Sequence, residues 1–542
     1  MLILANRDGS ASPFVKLSYV FMKLGVDFGT TRVVVAAADR GNYPIVGFEA
    51  PDGAIHEWFP PLVAVRGSQR LYGWTAWRAQ EYPGWTIVRS LKRYLDQGGP
   101  QTEVHIADQT VLLGQLLSEL MQALKSALVD RSTANLRTGE QVEVMLGVPA
   151  NANTNQRFLT SEAFRCADFS VAGMLNEPSA ASIEFSHKRG GTNSRILVYD
   201  LGGGTFDASL VECNGGSHTV VASEGITTLG GDDFDTILAE LALESAGVEQ
   251  EERDGMTQAE WFRLQDECRD RKEALHPNTR RIIVDLERVR QEWAPVTILA
   301  ADFYAACRPL VEETIHATED LLARHAAGKE IDALYVTGGG SELPLVSRAL
   351  RERFGRRVRR SAHTRSATAI GLAIQAADTE GYALKDRFTR YFGVWRESED
   401  GRSIVFDPLF DKGTGLPGPG EPPLERTRVY TPVHNVGHFR YIEASHCDES
   451  GNPQGDITEW DEIVFPFDRA LQELPDLSRV DVERRTAGGG EIRELYRCDS
   501  AGSVWVEISD LATGHQRTFR LGRWLRSDAP VKPGRKKKSA KG

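Results

Sequence analysis

Residues 195–211, RILVYDLGGGTFDASLV, constrain the fold of this chain more than any other segment. An apolar run ends at Asp200, the glycines at 202–204 turn the chain, and an extended pattern resumes at Phe206. Glycine lets backbone N–H groups approach an anion closely, and an acid at the end of the strand can hold a divalent metal that bridges phosphates. The segment is therefore interpreted as a phosphate-binding hairpin, with an ordinary glycine-rich β-turn as the alternative.

A second segment near the start of the chain repeats this order of features. In LGVDFGTTRVVVAAA, residues 24–38, an apolar strand ends at Asp27, the chain turns through Gly29, Thr30 and Thr31, and another apolar strand follows. Two strand–acid–turn–strand elements far apart in one chain predict two similar lobes that face a shared nucleotide. The repeat favours the phosphate-binding interpretation of both turns.

Five motifs make the chain resemble a known family. The motifs resemble those of the actin-like ATPase superfamily, and most closely those of the seventy-kilodalton heat-shock (DnaK-type) chaperones. The resemblance covers nearly the whole first two-thirds of the chain. It implies an α/β actin-like (ribonuclease H-like) two-lobed ATPase domain followed by an all-β sandwich domain. The motifs are VDFGTT at 26–31, LNEPSAAS at 175–182, YDLGGGTFD at 199–207, LGGDDFD at 229–235 and VTGGGSELP at 336–344.

Composition and charge narrow the class of protein. The chain has 542 residues, 41% of them apolar and 26% charged, which is typical of roughly two to four globular domains. Its net charge of −12 argues against a nucleic-acid partner. No run approaches the roughly 18 apolar residues of a membrane span, so no membrane partner is expected. The six cysteines form no C-x-x-C pair, which favours reduced thiols and a cytoplasmic location over disulfides or zinc.

Residue patterns divide the chain into five segments. Helical spacing is found at residues 110–129, 259–275 and 300–325, between strand-like runs, as expected for an α/β domain. Met22 stands directly before the first motif, so the residues that precede it are predicted to be an extension that need not be structured. The predicted segments are the extension (1–21), the ATPase domain (22–381), an interdomain linker (382–390), a β-sandwich substrate-binding-like domain (391–526) and a basic disordered tail (527–542).

The β-rich segment contains short apolar runs separated by turn residues, which predict a sandwich or barrel. FDPLFDKGTGLP at 406–417 and YRCDSAGSVWVEISDLATG at 496–514 resemble the substrate-binding β-domain of the same chaperones. That family normally continues into a helical lid. The present sequence is too short after the β-rich segment to form one, so a lidless member of the family is expected. His434 and His438 lack a third ligand and are expected to be structural. The predicted strands lie at 403–406, 439–442, 463–467, 480–483 and 504–508.

The resemblance assigns catalytic roles to five residues. Lys92 matches the lysine that faces the γ-phosphate, and Glu177 matches the carboxylate that orients the attacking water. Thr205 and Asp207 lie where the family has further γ-phosphate and water contacts, and Asp200 is the fifth catalytic position. Phosphoryl transfer to water requires such positioning and charge neutralisation rather than covalent chemistry.

The same resemblance implies ATP or ADP and Mg²⁺ as cofactors, with K⁺ as a further candidate cation. Asp27 and Asp200 are expected to hold Mg²⁺ through its waters, because Mg²⁺ gives up its hydration reluctantly. Pro149 and Arg157 match the residues through which the family relays the nucleotide state to the next domain. The expected nucleotide-binding residues are Asp27, Gly29, Thr30, Thr31, Gly202, Gly203, Gly204, Gly230, Gly231, Lys272, Gly338, Gly339 and Gly340.

Two regions depart from the family pattern. Arg269 stands where the family has a glutamate, Glu342 where it has an arginine that stacks on adenine, and Arg365 where it has an aspartate. We therefore expect a rearranged charge set around the nucleoside and weaker ATP binding. The linker at 382–390, YALKDRFTR, is charged where the family has a leucine run, which makes docking of the linker as an apolar β-edge less favourable.

The sequence thus predicts a DnaK-like chaperone in which Mg²⁺-dependent ATP hydrolysis is coupled to binding of unfolded or extended polypeptide. J-domain and nucleotide-exchange co-chaperones are the implied partners. Two alternatives remain open. One is a nucleotide-binding scaffold or regulator with one dedicated protein partner, and the other is a small-molecule kinase of the same superfamily, which would lack a separate β-domain.

Overall fold

The computed structural model describes most of residues 22–521. The extension at 1–21, the tail at 527–542 and parts of the predicted linker lie outside the described residues. No helix in the described part of the chain is both long and apolar enough to cross a lipid bilayer. The gaps are residues 96–97, 138, 151, 188–192, 215–216, 326–329, 378–382, 385–386, 389, 398–402, 419–420, 449, 475, 478–479, 485–489 and 501.

Residues 22–384 alternate between strands and helices, as a mixed α/β domain does. The strands are β1 (Met22–Phe28), β2 (Val33–Ala37), β3 (Phe48–Glu49), β4 (Ile55–His56), β5 (Val63–Arg66), β6 (Gln69–Tyr72), β7 (Thr86–Val88), β8 (Glu103–Ile106), β9 (Gln109–Leu112), β10 (Val142–Val148), β11 (Ser170–Asn176), β12 (Ser194–Leu201), β13 (Phe206–Asn214), β14 (Ser217–Ile226), β15 (Arg281–Val284), β16 (Val296–Leu299), β17 (Ala333–Thr337), β18 (Val358–Arg360) and β19 (Ala383–Leu384). The helices are α1 (Gly73–Arg78), α2 (Leu113–Asp130), α3 (Thr154–Cys166), α4 (Glu177–His187), α5 (Gly231–Ser245), α6 (Gln250–Asp254), α7 (Gln258–Glu273), α8 (Ala300–His325), α9 (Pro344–Phe354) and α10 (Ala367–Ala377).

Each of the two predicted hairpins lies in a larger sheet of its own. The first sheet has the strand order β11-β10-β1-β2, and β1 is antiparallel to β2 with Asp27 opposite Val34. The second sheet has the order β18-β17-β12-β13-β14-β19, and β12 is antiparallel to β13 with Asp200 opposite Asp207. Both strand–turn–strand predictions are confirmed, and each places its acid at the end of a strand.

The helix predictions are confirmed with one shift of a boundary. The predicted helix at 300–325 is α8, and the one at 259–275 is α7. The helix predicted at 110–129 begins three residues later, because residues 109–112 pair with 103–106 as the hairpin β8–β9. The apolar side chains of that strand continue the helical spacing by chance, so periodicity alone could not separate the two elements.

Helix α10 is wedged between β1 and α4 at two glycines. A Cβ atom on Gly25 of β1 would overlap the carbonyl oxygen of Ala369 on α10, and one on Gly371 of α10 would overlap that of Ala180 on α4. Backbones can approach this closely only where no side chain intervenes. The contact fixes the start of α4, which carries Glu177, relative to β1, which carries Asp27.

The β-rich region forms two four-stranded antiparallel sheets with the orders β21-β20-β23-β24 and β22-β25-β26-β27. Their inner faces meet, since the hydroxyl groups of Tyr441 on β23 and Tyr496 on β25 are 3.3 Å apart. The predicted strand at 480–483 is wrong, because these residues pair with no sheet and only Arg484 forms an isolated bridge, to His434. The strands are β20 (Tyr391–Glu397), β21 (Ile404–Phe410), β22 (Leu424–Tyr430), β23 (Val436–Cys447), β24 (Pro453–Pro466), β25 (Ile492–Cys498), β26 (Val504–Asp510) and β27 (Gln516–Arg520).

The two histidines of this region pair with carboxylates. The Nδ1 atom of His434 lies 3.4 Å from Oε2 of Glu397, and Nε2 of His438 lies 2.5 Å from Oε1 of Glu462. Neither histidine belongs to a group of three metal-ligand side chains within the described residues. Each histidine therefore has a carboxylate partner in this structure.

The β-sheets contact the mixed α/β part through α3. The ring of Phe158 meets that of Trp460 edge to face at 6.5 Å between centroids, and Arg520 Nη1 lies 2.5 Å from Oε1 of Glu162. Part of the linker joins the second sheet as well, because Ala383 and Leu384 form β19 parallel to β14. Two residues of the charged linker can therefore pair as a β-edge despite the charges around them.

We predict that Gly371→Ala destabilises the protein. The new Cβ would force α10 and α4 apart, and overpacking of this kind costs about 1–3 kcal/mol of unfolding free energy. Urea unfolding followed by circular dichroism measures the loss. Gly99→Ala is the control, since a Cβ there has no neighbour within 4 Å. Equal unfolding midpoints for the two variants would contradict the close crossing of α10 and α4.

Candidate functional site

The turns that follow β1 and β12 touch each other. A Cβ atom on Gly203 would overlap the side chain of Thr31, and one on Gly204 would lie 2.8 Å from Cγ2 of Thr30. Glycine at these two positions therefore lets the turns meet. Asp27 and Asp200 line one cleft with about 920 Å³ of space, its open mouth included.

Most of the residues that were predicted from the sequence to bind nucleotide line the cleft. Gly204 and Gly230 are not among its lining residues and lie against Thr30 and Gly203 instead. Pro149 does not line the cleft, and neither does Arg157. The predicted residues that line the cleft are Asp27, Gly29, Thr30, Thr31, Lys92, Glu177, Asp200, Gly202, Gly203, Thr205, Asp207, Gly231, Lys272, Gly338, Gly339 and Gly340.

Two further glycine turns wrap around the end of β12. The N–H of Gly231, the first residue of α5, donates to the carbonyl oxygen of Gly202 at 2.9 Å. Gly338 has a positive φ of 82°, and a Cβ there would overlap a carboxylate oxygen of Asp200. The N-terminus of α5 therefore borders the cleft, where the positive end of its helix dipole favours an anion.

One ion pair crosses the floor of the cleft. The ammonium of Lys92 donates to Oε1 of Glu177 at 2.8 Å, and both side chains are nearly buried. Burial by itself lowers the pKa of Lys92, but the charges of Glu177 and Asp27 outweigh it and the pKa is raised. Lys92 therefore keeps its positive charge at neutral pH.

The cleft contains more negative than positive charge. Burial, followed by the charge of Glu177, raises the pKa of Asp27 to about 8, and the same two causes raise the pKa of Asp207 to about 7. Burial and the charges of Glu177 and Asp207 raise the pKa of Asp200 to about 7. Four carboxylates share the single ammonium of Lys92, so a divalent cation would supply the positive charge that the site lacks.

Mg²⁺ fits this donor set on chemical grounds. Carboxylate oxygens are the ligands that Mg²⁺ prefers, and it usually keeps several waters. Within the described residues, no three Asp, Glu, His or Cys side chains converge to hold a metal by themselves. Coordination at Asp27 and Asp200 would therefore be completed by water and phosphate oxygens.

Lys272, which the sequence predicts to contact the nucleotide, is held inside the protein. Its ammonium lies 2.6 Å from Oδ1 of Asp235 and donates to the carbonyl oxygen of Gly231 at 2.6 Å. Lys272 lines the cleft as predicted, and these two contacts fix it beside the N-terminus of α5.

Two of the residues that depart in charge from the family pattern, Glu342 and Arg365, form ion pairs here. Together with two further residues they make a chain of ion pairs, here called the ion chain. Its members are Arg32, Glu273, Arg365 and Glu342. Arg32 Nη2 lies 2.6 Å from Oε1 of Glu273, and Arg365 Nη1 lies 2.7 Å from Oε2 of Glu273. Arg365 Nη2 then lies 2.6 Å from Oε2 of Glu342. The ion chain links the turn after β1 to α7 and to the segments that follow β17 and β18.

Arg32 and Glu273 were not among the residues predicted from the sequence. Burial alone would raise the pKa of Glu273, but the charges of Arg32 and Arg365 outweigh it and lower the pKa to about 2. The available signals were their positions, directly after Thr31 and directly after Lys272. Arg269, by contrast, lies outside the ion chain, because its guanidinium stacks over Trp77 at 4.9 Å and pairs with Asp266.

The cleft lies between two sheets and is lined by two turns that each follow an aspartate. Two antiparallel sheets come after this region in the chain. The protein is therefore a mixed α/β protein with an additional β-domain. A comparison with protein families matches residues 23–388 to the family described as Hsp70 protein, and the chain belongs to this family. Hsp70 proteins are ATPases. The chain is also 27% identical over 526 residues to proteins named chaperone protein DnaK from Thermotoga neapolitana and Thermotoga petrophila, covering 94% of this chain and 82% of each relative.

We predict that Glu273→Gln lowers stability in a pH-dependent way. The folded protein depresses the pKa of Glu273 from 4.5 to about 2. Its contribution is therefore complete above about pH 5 and is lost as the pH falls from about 4.5 towards 2. Urea midpoints of wild type and variant should differ most at pH 7 and converge on acidification. Glu251→Gln, at an exposed position of α6, is the control. A difference that stays constant between pH 7 and pH 3 would contradict this assignment.

Proposed function

We propose that the chain is an Mg²⁺-dependent ATPase that couples hydrolysis to binding of extended polypeptide, as a chaperone of the Hsp70 type. One observation carries the proposal. Asp27 and Asp200, at the tips of two turns from separate sheets, line the same cleft as the Lys92–Glu177 ion pair. Four partly buried carboxylates around the ammonium of Lys92 suit a metal-bound triphosphate better than a metal-free anion.

Bound Mg²⁺ would neutralise phosphate charge and orient the phosphates for in-line attack. Lys92 directs its ammonium at the γ-phosphate and stabilises the charge that develops there. Glu177, held at 2.8 Å by Lys92, accepts a hydrogen bond from the attacking water. Thr205 and Asp207 complete the polar wall on the side of β13.

Polypeptide binding is proposed at one end of the β-domain. The loop after β22 approaches the hairpin of β20 and β21 there, because His434 contacts Glu397. Three large apolar side chains flank this contact and are strongly exposed, namely Ile404 at 61%, Val405 at 42% and Val433 at 44%. An extended segment could bind here by main-chain hydrogen bonds to a strand edge, with the apolar side chains providing preference.

A series of contacts supports coupling between the cleft and the proposed polypeptide-binding β-domain. Asn176 directly precedes Glu177, and its side chain accepts a hydrogen bond from Arg157. A Cβ on Gly502, in the loop between β25 and β26, would lie 3.3 Å from Cδ of Arg157. A displacement of Glu177 on hydrolysis would therefore be transmitted to the β-domain through Asn176 and Arg157. J-domain and nucleotide-exchange partners are proposed from family membership alone.

A dedicated protein partner is the second candidate function, and one feature favours it. Arg396 lies between the sheets of the β-domain, where it pairs with the fully buried Glu494 at 2.6 Å and with Asp407 at 2.6 Å. This ion network leaves less apolar space for side chains of unrelated polypeptides. Binding to a peptide array separates the two functions, since broad affinity for apolar peptides supports the chaperone and silence supports the dedicated partner. The small-molecule kinase is disfavoured, because the two antiparallel sheets form a separate β-region.

We predict that Lys92→Ala lowers the ATPase rate by about 10²-fold or more, because it removes the charge that stabilises the transition state. Phosphate release, measured with and without an unfolded peptide, tests this. Lys125→Ala is the matched control, since that half-buried lysine on α2 donates to the carbonyl oxygen of Asp168 outside the cleft. A Lys92→Ala rate equal to that of wild type would rule out the assigned role.

We also predict that reversing one charge of the Glu162–Arg520 pair uncouples the domains. Glu162→Arg and Arg520→Glu should each reduce the stimulation of ATPase by peptide, because like charges then face each other where α3 meets β27. The double variant restores the ionic contact and should recover part of the stimulation. Full stimulation in both single variants would mean that this contact does not carry the coupling.

A further inference from the structure

Residues 348–360, RALRERFGRRVRR, form a strongly basic surface, here called the arginine patch. They carry seven arginines and one acid, Glu352, although the whole chain has a net charge of −12. They span the second half of α9, the turn at 355–357 and strand β18. All seven arginines are exposed, so the positive charge is a feature of the surface.

The protein itself balances only part of this charge. Three arginines of the patch pair with carboxylates on other elements, namely Arg353 with Glu319, Arg357 with Glu330 and Arg360 with Glu342. The other four have no ion pair within the part of the chain that the structure describes, namely Arg348, Arg351, Arg356 and Arg359. Arg348 and Arg351 stand one turn apart on α9, where like charges repel. An anionic partner would relieve this repulsion.

The arginine patch also contains an open strand edge. Strand β18 is the outermost strand of its sheet, with β17 on one side and no strand on the other among the described residues. Ser361 donates its N–H to the carbonyl oxygen of Val336 on β17 at 3.1 Å. Successive N–H groups of an extended chain point to opposite sides, so the N–H of Arg360 points away from β17. An extended segment could pair with this edge through its main chain.

Charged side chains on an edge strand can also prevent unwanted pairing. That explanation covers Arg359 and Arg360, which belong to β18. It does not cover Arg348 and Arg351, because they belong to α9, which packs beside β18. The positive charge therefore extends over a surface wider than the edge, as is expected where a partner of opposite charge binds.

The chemistry of the arginine patch favours an acidic polypeptide over a nucleic acid. Arginine side chains bind carboxylates and phosphates with the same paired geometry, so they do not discriminate by themselves. The outward main-chain groups of β18 do discriminate, because only a polypeptide can continue the sheet. Without the patch, the chain is more negative than −12 and would repel a long polyanion, whereas a short acidic segment contacts the patch alone.

We propose that the arginine patch binds an extended segment of a partner protein that is rich in glutamate or aspartate. The segment adds to β18 as a further strand, and its carboxylates pair with the four arginines that lack an ion pair. No residue of the patch lines the carboxylate-rich cleft, and the patch lies outside the β-domain. The proposal therefore does not depend on the function proposed above.

Fluorescence anisotropy on the full chain tests the proposal with a labelled peptide of alternating glutamate and valine. The triple variant Arg351→Glu, Arg356→Glu, Arg359→Glu should weaken binding about tenfold or more, because three attractive contacts become repulsive. Added salt should weaken binding by wild type, and the same peptide with glutamine in place of glutamate should not bind.

The matched control makes the same change of charge at three exposed arginines outside the patch. This second triple variant is Arg40→Glu, Arg131→Glu, Arg281→Glu, and it should keep the affinity of wild type for the peptide. Urea unfolding midpoints of the two triple variants show that both remain folded.

Replacement of Arg360 tests the strand pairing. Arg360→Pro removes the outward N–H, whereas Arg360→Gln removes only the charge, so the proline variant should bind about fivefold more weakly than the glutamine variant. The acidic peptide with methylated backbone nitrogens makes the same test from the partner's side, on the wild-type chain. Equal affinity in both comparisons would overturn the strand pairing.

Three results would overturn the proposal as a whole. The first is that wild type does not bind the acidic peptide. The second is equal peptide affinity in wild type and in the patch variant, since the peptide would then bind elsewhere, such as on the β-domain. The third is tighter binding of a single-stranded oligothymidylate of equal charge that the patch variant loses, which would identify a nucleic-acid site.

Discussion

The crowding of negative charge around one buried ammonium is the constraint on which this structure depends. Asp27, Asp200, Asp207 and Glu177 share Lys92, and burial together with their mutual repulsion raises the pKa values of the three aspartates. Such an arrangement is unfavourable in itself, so the fold must hold it in place. It does so by close backbone contacts at glycines, both between the two turns and where α10 crosses β1 and α4.

The end of the cleft that carries the ion chain has the opposite arrangement of charges. The charges of the ion chain are paired with one another, so each carboxylate lies within 2.8 Å of a guanidinium nitrogen. A paired set of this kind resists disruption, because breaking it leaves a partly buried charge without its partner. The carboxylate-rich end of the cleft therefore lacks balancing positive charge, whereas the end with the ion chain is already balanced.

Local secondary structure was predictable from the sequence, whereas contacts between residues far apart in the chain were not. The two hairpins carry their own signals, an apolar strand, an acid and glycines, so Asp27 and Asp200 could be placed at strand ends in advance. The partner of Glu273 could not be found, because Arg32 lies 241 residues away. The aromatic cluster of His56, Trp58, Trp74 and Trp77 could not be found either, since its rings come from β4, from residue 58 and from α1 and meet only in the folded chain. The predicted start of α2 and the predicted strand at 480–483 were wrong for a local reason, because the same apolar spacing fits more than one kind of element.

Helix α3 joins the two halves of the molecule in physical terms. One face of α3 packs in the core of the first sheet through residues such as Leu159 and Phe164, while Phe158 and Glu162 contact the β-domain. Arg157, on the same helix, bonds to Asn176 beside Glu177. A single helix cannot shift one of these contacts without affecting the others, since close-packed interiors transmit displacement. The strand end beside Glu177 and the β-domain therefore contact the same helix, which is the physical basis of the coupling proposed above.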